Sequence, residues 1–279
     1  MRSRKRRDIA GYILLCANAA LVCVLLVAIT AFVVYRGAPH LTLQLITGEE
    51  SILHGTAGIL PAIINTLVVI LLSLMLALPI GIGTAIYLTE YAKNRIFVSG
   101  IEFASGVLAA IPSIIYALVG VIIFCTSLGL QKTLLAASLT LSIMILPTVI
   151  RTTGESLKAV PQSYREGALG LGAGKWRSIA TVVLPSALGG IITGCILSIG
   201  RIIGESAVLI YTAGLSTAMQ SFLPQDFLKA SGATLSSALY IYARERCDLN
   251  TAFAIALLLL ILTLVLNLAV GWIGRKLKP

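Results

Sequence analysis

Charge is what this sequence has least of. Only 11% of its residues are Asp, Glu, Lys or Arg, against about 25% in a soluble domain. The five cysteines, Cys16, Cys23, Cys125, Cys195 and Cys247, match no metal or redox spacing. The first four lie inside apolar runs, where a thiol behaves as a small hydrophobe. His40 and His54 flank Glu49 and Glu50 without metal-like spacing. No P-loop, no H-E-x-x-H and no G-x-S-x-G pattern occurs. The chain is therefore not expected to hydrolyse ATP or to be an enzyme, and no cofactor or metal site is expected.

What fills the sequence instead is hydrophobic: 58% of 279 residues. Runs of about 18 or more apolar residues recur, so the chain is an integral membrane protein in a lipid bilayer. Six spans are predicted, near Ile9–Tyr35, Pro61–Tyr87, Phe103–Leu128, Leu134–Ile150, Ser186–Tyr211 and Ala252–Ile273. Pro147 is placed to kink the short fourth one. The first span is too long for a signal-peptide core and has no clean cleavage site after it.

The net charge of +10 first suggests nucleic acid. Its placement argues against that, because basic residues cluster at the ends of the spans. With both termini cytoplasmic, the inner segments carry fifteen Lys and Arg and the outer ones five, leaving Arg201 inside a span. This bias predicts a multi-pass protein of the cytoplasmic (inner) membrane with both termini inside. The outer loop of residues 212–251 is expected to hold a short surface helix.

The cytoplasmic loop between spans four and five, residues 151–185, is long enough to suggest a function. Pro161 suits a helix start and Gly172 or Gly174 a helix end. The short helix between them reads either as a solvated connector or as a docking surface for another protein.

Here the residues carry a resemblance. Glu166-Gly167-Ala168, three residues, Gly172, nine residues and Val182-Val183-Leu184-Pro185 are similar to the EAA loop of ABC importer permeases. Gly167 stands where that pattern has alanine, and Val182 where it has isoleucine. "GIGTAIYLTEYA" (81–92), "AAIPSIIYALVG" (109–120), "ILPTVIRTTGESLKAVP" (145–161) and "LSIGRIIGESAVLIYTAG" (197–214) resemble the phosphate-specific branch, its A-type subunit in particular.

The resemblance implies an all-α transmembrane fold, the six-helix type I ABC importer permease with a cytoplasmic coupling helix. It implies an N-terminal helix and outer loop (1–60) before a permease core (61–279). Arg165, Glu166, Gly167, Ala168, Gly172, Leu184 and Pro185 would form the ATPase-coupling loop. The implied partners are a paralogous C-type permease subunit, two ATPase subunits and an extracytoplasmic phosphate-binding protein. Phosphate would be the substrate, and no nucleic acid is involved.

One stretch, "RIIGES" (201–206), places two charges inside an apolar run. A charged residue near the bilayer centre costs about 2.5–3.5 kcal/mol. Projected at about 100° per residue, Gly190, Gly194, Ser198, Arg201 and Glu205 share a stripe roughly 80° wide. Glycines at 190/194 and 200/204 form two small-xxx-small pairs, so the charged face is expected to be a close-packing face. Arg201 would lie about 22 Å along the span from Ser186, in the outer half of the bilayer.

A guanidinium suits an oxyanion. Arg201 and Glu205 are therefore assigned to the translocation path, with Glu205 expected to hold Arg201 while the path is empty. Asn65, Thr66, Ser113 and Ser198 are further candidates for lining the path. Alternatives left open are a permease for sulfate, molybdate or phosphonate, and a non-transporting membrane sensor or scaffold.

Overall fold

The computed structural model describes residues 2–49, 58–217 and 229–277, with the side chains of 2–10 and 277 left aside. Among the described residues there is no strand. The helices are α1 (Arg2–Gly37), α2 (Leu43–Thr47), α3 (Leu60–Ile86), α4 (Arg95–Ala110), α5 (Ser113–Gly120) and α6 (Leu134–Ala159). After them come α7 (Gln162–Gly170), α8 (Lys175–Ser178), α9 (Leu184–Ile203), α10 (Ala207–Thr212), α11 (Leu235–Tyr240) and α12 (Leu249–Leu277). π-helical turns extend α3 over Tyr87–Tyr91 and α5 over Val121–Ser127, and join α8 to α9 over Ile179–Val183. Among the described residues, five helices are long and apolar enough to cross a membrane, or six if a bent pair counts as one span.

That bent pair is the expected third span. It is not one rod: α4 and α5 meet at 97°. Pro112 has no N–H to give, and it pushes Ile111 into extended backbone at ψ 131°. The elbow is pinned by the Tyr116 hydroxyl, which donates to the Leu108 carbonyl at 2.8 Å. The fourth span runs further than expected, to Ala159, and passes through Pro147 without breaking.

The fifth span differs at both ends. It begins at Lys175, eleven residues before the expected start at Ser186, and stops at Ile203. Residues 204–206 break the helix, and α10 starts afresh. The break is stabilised from outside. The Glu205 carboxylate accepts the Val208 N–H at 3.3 Å, and Ser236 Oγ donates to the Glu205 carbonyl at 3.0 Å.

Three apolar clusters stack along the bundle. One joins α3, α5, α6, α9 and α10 through Val69, Leu141, Met144, Ile202 and Val208. The second lies at one end, between α2, α3, α11 and α12, around Ile59, Leu235 and Ile255. The third lies at the opposite end, near α7, around Ile86, Leu157, Ile179 and Val183. α3 and α6 are also joined by hydroxyls: Ser73 donates to the Ser138 carbonyl at 3.3 Å, and Ser142 to the Ser73 carbonyl at 3.2 Å. Such bonds hold membrane helices together where burial of apolar surface gains little.

α1 stands apart, its membrane-length stretch unburied. Phe32 meets Phe253 of α12 edge to face at 5.6 Å. Within residues 212–251, α11 forms a buried cap, and the part of the loop where a surface helix was expected includes 218–228, outside the described residues. Leu235, Ser236, Ser237 and Ala238 of α11 are enclosed, and Thr234 closes its N-terminus in a capping box with Ser237. His54, Glu50 and the stretch 218–228 lie outside the described residues.

Candidate functional site

Two places on this frame concentrate polar chemistry, one at the end that carries α7 and one at the helix break after α9. The first is α7 and its flanks. Pro161 precedes α7 at φ −56°, ψ 140°. The C-terminus closes in a Schellman arrangement: Gly172 N–H donates to the Leu169 carbonyl at 2.9 Å, and Ala173 N–H to the Ala168 carbonyl at 3.1 Å. That turn requires Gly172 at φ +84°, a conformation glycine adopts without strain.

Arg165 turns inward, with 14% of its side chain exposed. Its Nε and Nη2 donate to Glu90 Oε1 at 3.0 and 2.7 Å, while Nη1 and Nη2 donate to the Val160 and Leu157 carbonyls at 2.8 Å each. Glu166 and Gly167 face outward, and Ala168 is half-buried. Apolar side chains share the outer surface: Tyr164 and Leu169 are about half exposed, and Leu171 is 91% exposed. Trp176, in the following short helix α8, is exposed as well. Leu184 and Pro185 are half-buried where α9 starts, with Leu184 against the cluster of Ile86 and Val183.

The second place is the break after α9. Arg201 sits half-buried in the last turn of α9, where the helix dipole favours a cation. Its guanidinium lies within electrostatic reach of the Tyr116 phenol, beside the α4–α5 elbow. The expected ion pair with Glu205 is not among the ion pairs of the described residues. Glu205 is no longer on the same helix, and it caps α10 instead. Arg201 thus keeps its donors free of any protein partner among the described residues.

The two glycine pairs part company here. Gly190 and Gly194 do form a close-packing face: a Cβ on either would collide with Ser156 or Thr152 of α6. At Gly200 a Cβ would meet open space, and at Gly204 only its own helix's carbonyl. Leu197, Gly200 and Gly204 are exposed, so the face beside Arg201 is uncovered among the described residues.

The other path candidates are scattered. Ser198 is fully buried and donates to the Gly194 carbonyl at 2.8 Å. Asn65 Nδ2 donates to the Ala233 carbonyl at 2.9 Å, and Thr66 Oγ1 accepts the Leu235 N–H at 2.9 Å. Both side chains therefore hold the backbone leading into α11. Ser113 is half-buried in the first turn of α5, at the elbow. A cleft of about 490 Å³ opens between α4 and α6, lined by Pro147, Thr148, Arg151, Glu155 and Lys158 among others. Its charges are paired, Arg151 with Glu155 at 2.9 Å and Lys158 with Glu102 at 2.8 Å.

Residues 77–279 match the family described as the binding-protein-dependent transport system inner membrane component. The chain belongs to that family. It is therefore a multi-pass inner-membrane permease component. A probable ABC transporter permease protein of Bacillus subtilis, YqgI, is 32% identical over 267 residues, covering 92% of this chain and 91% of that protein. The phosphate transport system permease protein PstA of Mycobacterium leprae is 36% identical over 215 residues, covering 76% and 68%. Among solved structures, a bacterial alginate ABC transporter in complex with its pentasaccharide-bound periplasmic protein superimposes with TM-score 0.70 at 16% identity, covering 98% and 96%. That likeness supports the type I importer permease fold.

Glu90 and Tyr116 are the residues that sequence reasoning missed. Glu90 is the acid of "YLTEYA", a stretch quoted for its resemblance but not for its charge. Its partner lies 75 residues away, beyond any helical or strand spacing.

Proposed function

We propose that this permease is one half of the translocation path of an ATP-driven phosphate importer. The observation that carries the anion reading is Arg201: a guanidinium at a helix break inside the bundle, with no protein partner among the described residues. An uncompensated charge in a membrane span marks a substrate pathway by default. Discontinuous helices recur at transporter binding sites, where loose helix ends face a ligand. Guanidinium binds phosphate oxygens in pairs and stays charged at every working pH. Relatives named phosphate transport system permease support phosphate as the anion.

In this reading the uncovered face of Leu197, Gly200 and Gly204 completes the path against a paralogous C-type permease. The end carrying α7 is cytoplasmic, as are both termini. α7 is the coupling helix, presenting Glu166 and its apolar neighbours to a separate ATPase subunit. A phosphate-binding protein delivers substrate at the opposite end, which α10 and α11 close. ATP binding draws the coupling helices together and rocks the packed spans.

The test is reconstitution with a partner permease, the ATPase and the binding protein in lipid vesicles. ATP-dependent uptake of labelled phosphate, with sulfate and molybdate rejected, supports the reading. Absence of uptake, or equal uptake of sulfate, contradicts it.

A further inference from the structure

α7 has no buried residue. Beneath it lies a cavity of about 700 Å³, lined by Glu90, Lys158, Arg165 and Lys175 among others. Strain travels through close-packed side chains because they cannot compress. Besides the packing of α7 on the turn of Ile179–Val183, polar contacts fasten it across this opening. They converge on Glu90.

From one side, Arg165 places two N–H groups on the Glu90 carboxylate. From the other, the Lys175 ammonium donates to the Glu90 main-chain carbonyl and lies 4.7 Å from the centre of the Tyr91 ring. Both flanks of the coupling loop are thereby fastened to one residue. The remaining Arg165 donors take the Leu157 and Val160 carbonyls at the end of α6. One guanidinium thus joins α7, α6 and the turn that follows α3. The pair is enclosed, with 14% of Arg165 and 8% of Glu90 side chain exposed. Glu90 itself sits in a π-helical turn, a feature frequent at functional sites.

We propose that Glu90 is the positioning residue of the coupling stroke. Through Arg165 and Lys175 it binds the coupling helix, the end of α3 and the end of α6 into one moving body, so that displacement of α7 reaches the membrane helices. This rests on the reading of α7 as the ATPase contact. A lysine at 165 keeps the charge but lacks the planar fork that serves three acceptors at once.

The experiment uses the complete assembly in vesicles, with wild type, Glu90→Gln and Arg165→Lys compared. ATP hydrolysis and phosphate uptake are measured on the same preparations, each normalised to assembled complex. In Glu90→Gln, phosphate moved per ATP should fall roughly fivefold or more, the lower end of coupling between linked sites. Arg165→Lys should fall in the same direction by less. A purely structural role lowers the amount of complex and leaves the ratio at the wild-type value. That result, in whichever variant assembles, overturns the proposal. The underlying reading fails differently: Glu166→Ala and Trp176→Ala would then leave ATPase binding intact, whatever the ratio in Glu90→Gln.

Discussion

Adding one methyl group at Gly190 tests the α6–α9 contact. The Cβ of Gly190→Ala would overlap Ser156 Oγ and lie 2.6 Å from Ser156 Cβ. Carbon atoms pack best near 3.5–4.0 Å, so the two helices must separate by about 1 Å. Rotating the Ser156 hydroxyl relieves only half of this, because its Cβ cannot turn away. It would also give up the bond to the Thr152 carbonyl, now 2.6 Å. Overpacking of this kind costs about 1–3 kcal/mol. Replacing glycine by alanine within a helix returns about 1 kcal/mol.

The net expectation is a loss of up to about 2 kcal/mol, read as a lower midpoint of unfolding in a denaturing-detergent titration. Ser156→Gly removes the colliding Cβ, so the double variant should recover most of that loss, with a coupling energy of about 1–2 kcal/mol. If Gly190→Ala is more stable than wild type, or if the two changes simply add, the close approach of α9 to α6 is wrong.

Other outcomes follow from the same contacts. Gly172→Ala forces a Cβ into left-handed backbone at a cost of about 1–2 kcal/mol, so α7 should lose its end and uptake should fall relative to ATP hydrolysis. Glu166→Ala should weaken ATPase binding without affecting capture of phosphate by the binding protein, which a pull-down beside a ligand-binding assay would show. The Asp248 carboxyl is held below its ordinary range, first by the Thr251 hydroxyl at 2.5 Å. A depressed carboxyl contributes stability above its unfolded pKa of about 3.9 and loses it as pH falls through the folded value. Asp248→Asn should therefore lower the melting temperature at pH 7 and flatten its decline below about pH 4.

The six-span plan was legible because membrane spans need apolar length, and length is visible in the chain. The short helix α7 was legible because its glycine and proline act locally: Gly172 ends α7 through its own backbone angle. The Gly190/Gly194 face was legible for the same reason. Gly200 and Gly204 have the same spacing and pack against no other helix among the described residues, since spacing says which residues share a face and not what lies opposite.

The breaks were harder. Pro112 stands in an apolar run, and membrane helices often continue through proline, as α6 does at Pro147. What makes the elbow is Pro112 together with the Tyr116 bond to Leu108. Helical projection carried Glu205 onto the Arg201 face because it assumed an unbroken helix. The break is held by Ser236, 31 residues further on, and periodicity cannot register so distant a cap. The Arg165–Glu90 pair escaped for a similar reason.

The central claim is that Arg201 contacts the transported anion. Its most direct test is ATP-dependent phosphate uptake by assembled complexes carrying Arg201→Gln, with Arg201→Lys alongside. Removing the guanidinium should reduce uptake at least tenfold, equivalent to about 1.4 kcal/mol, while complex assembly and ATPase docking remain normal. Lysine should restore part of it. Wild-type uptake by Arg201→Gln at every phosphate concentration would contradict the account.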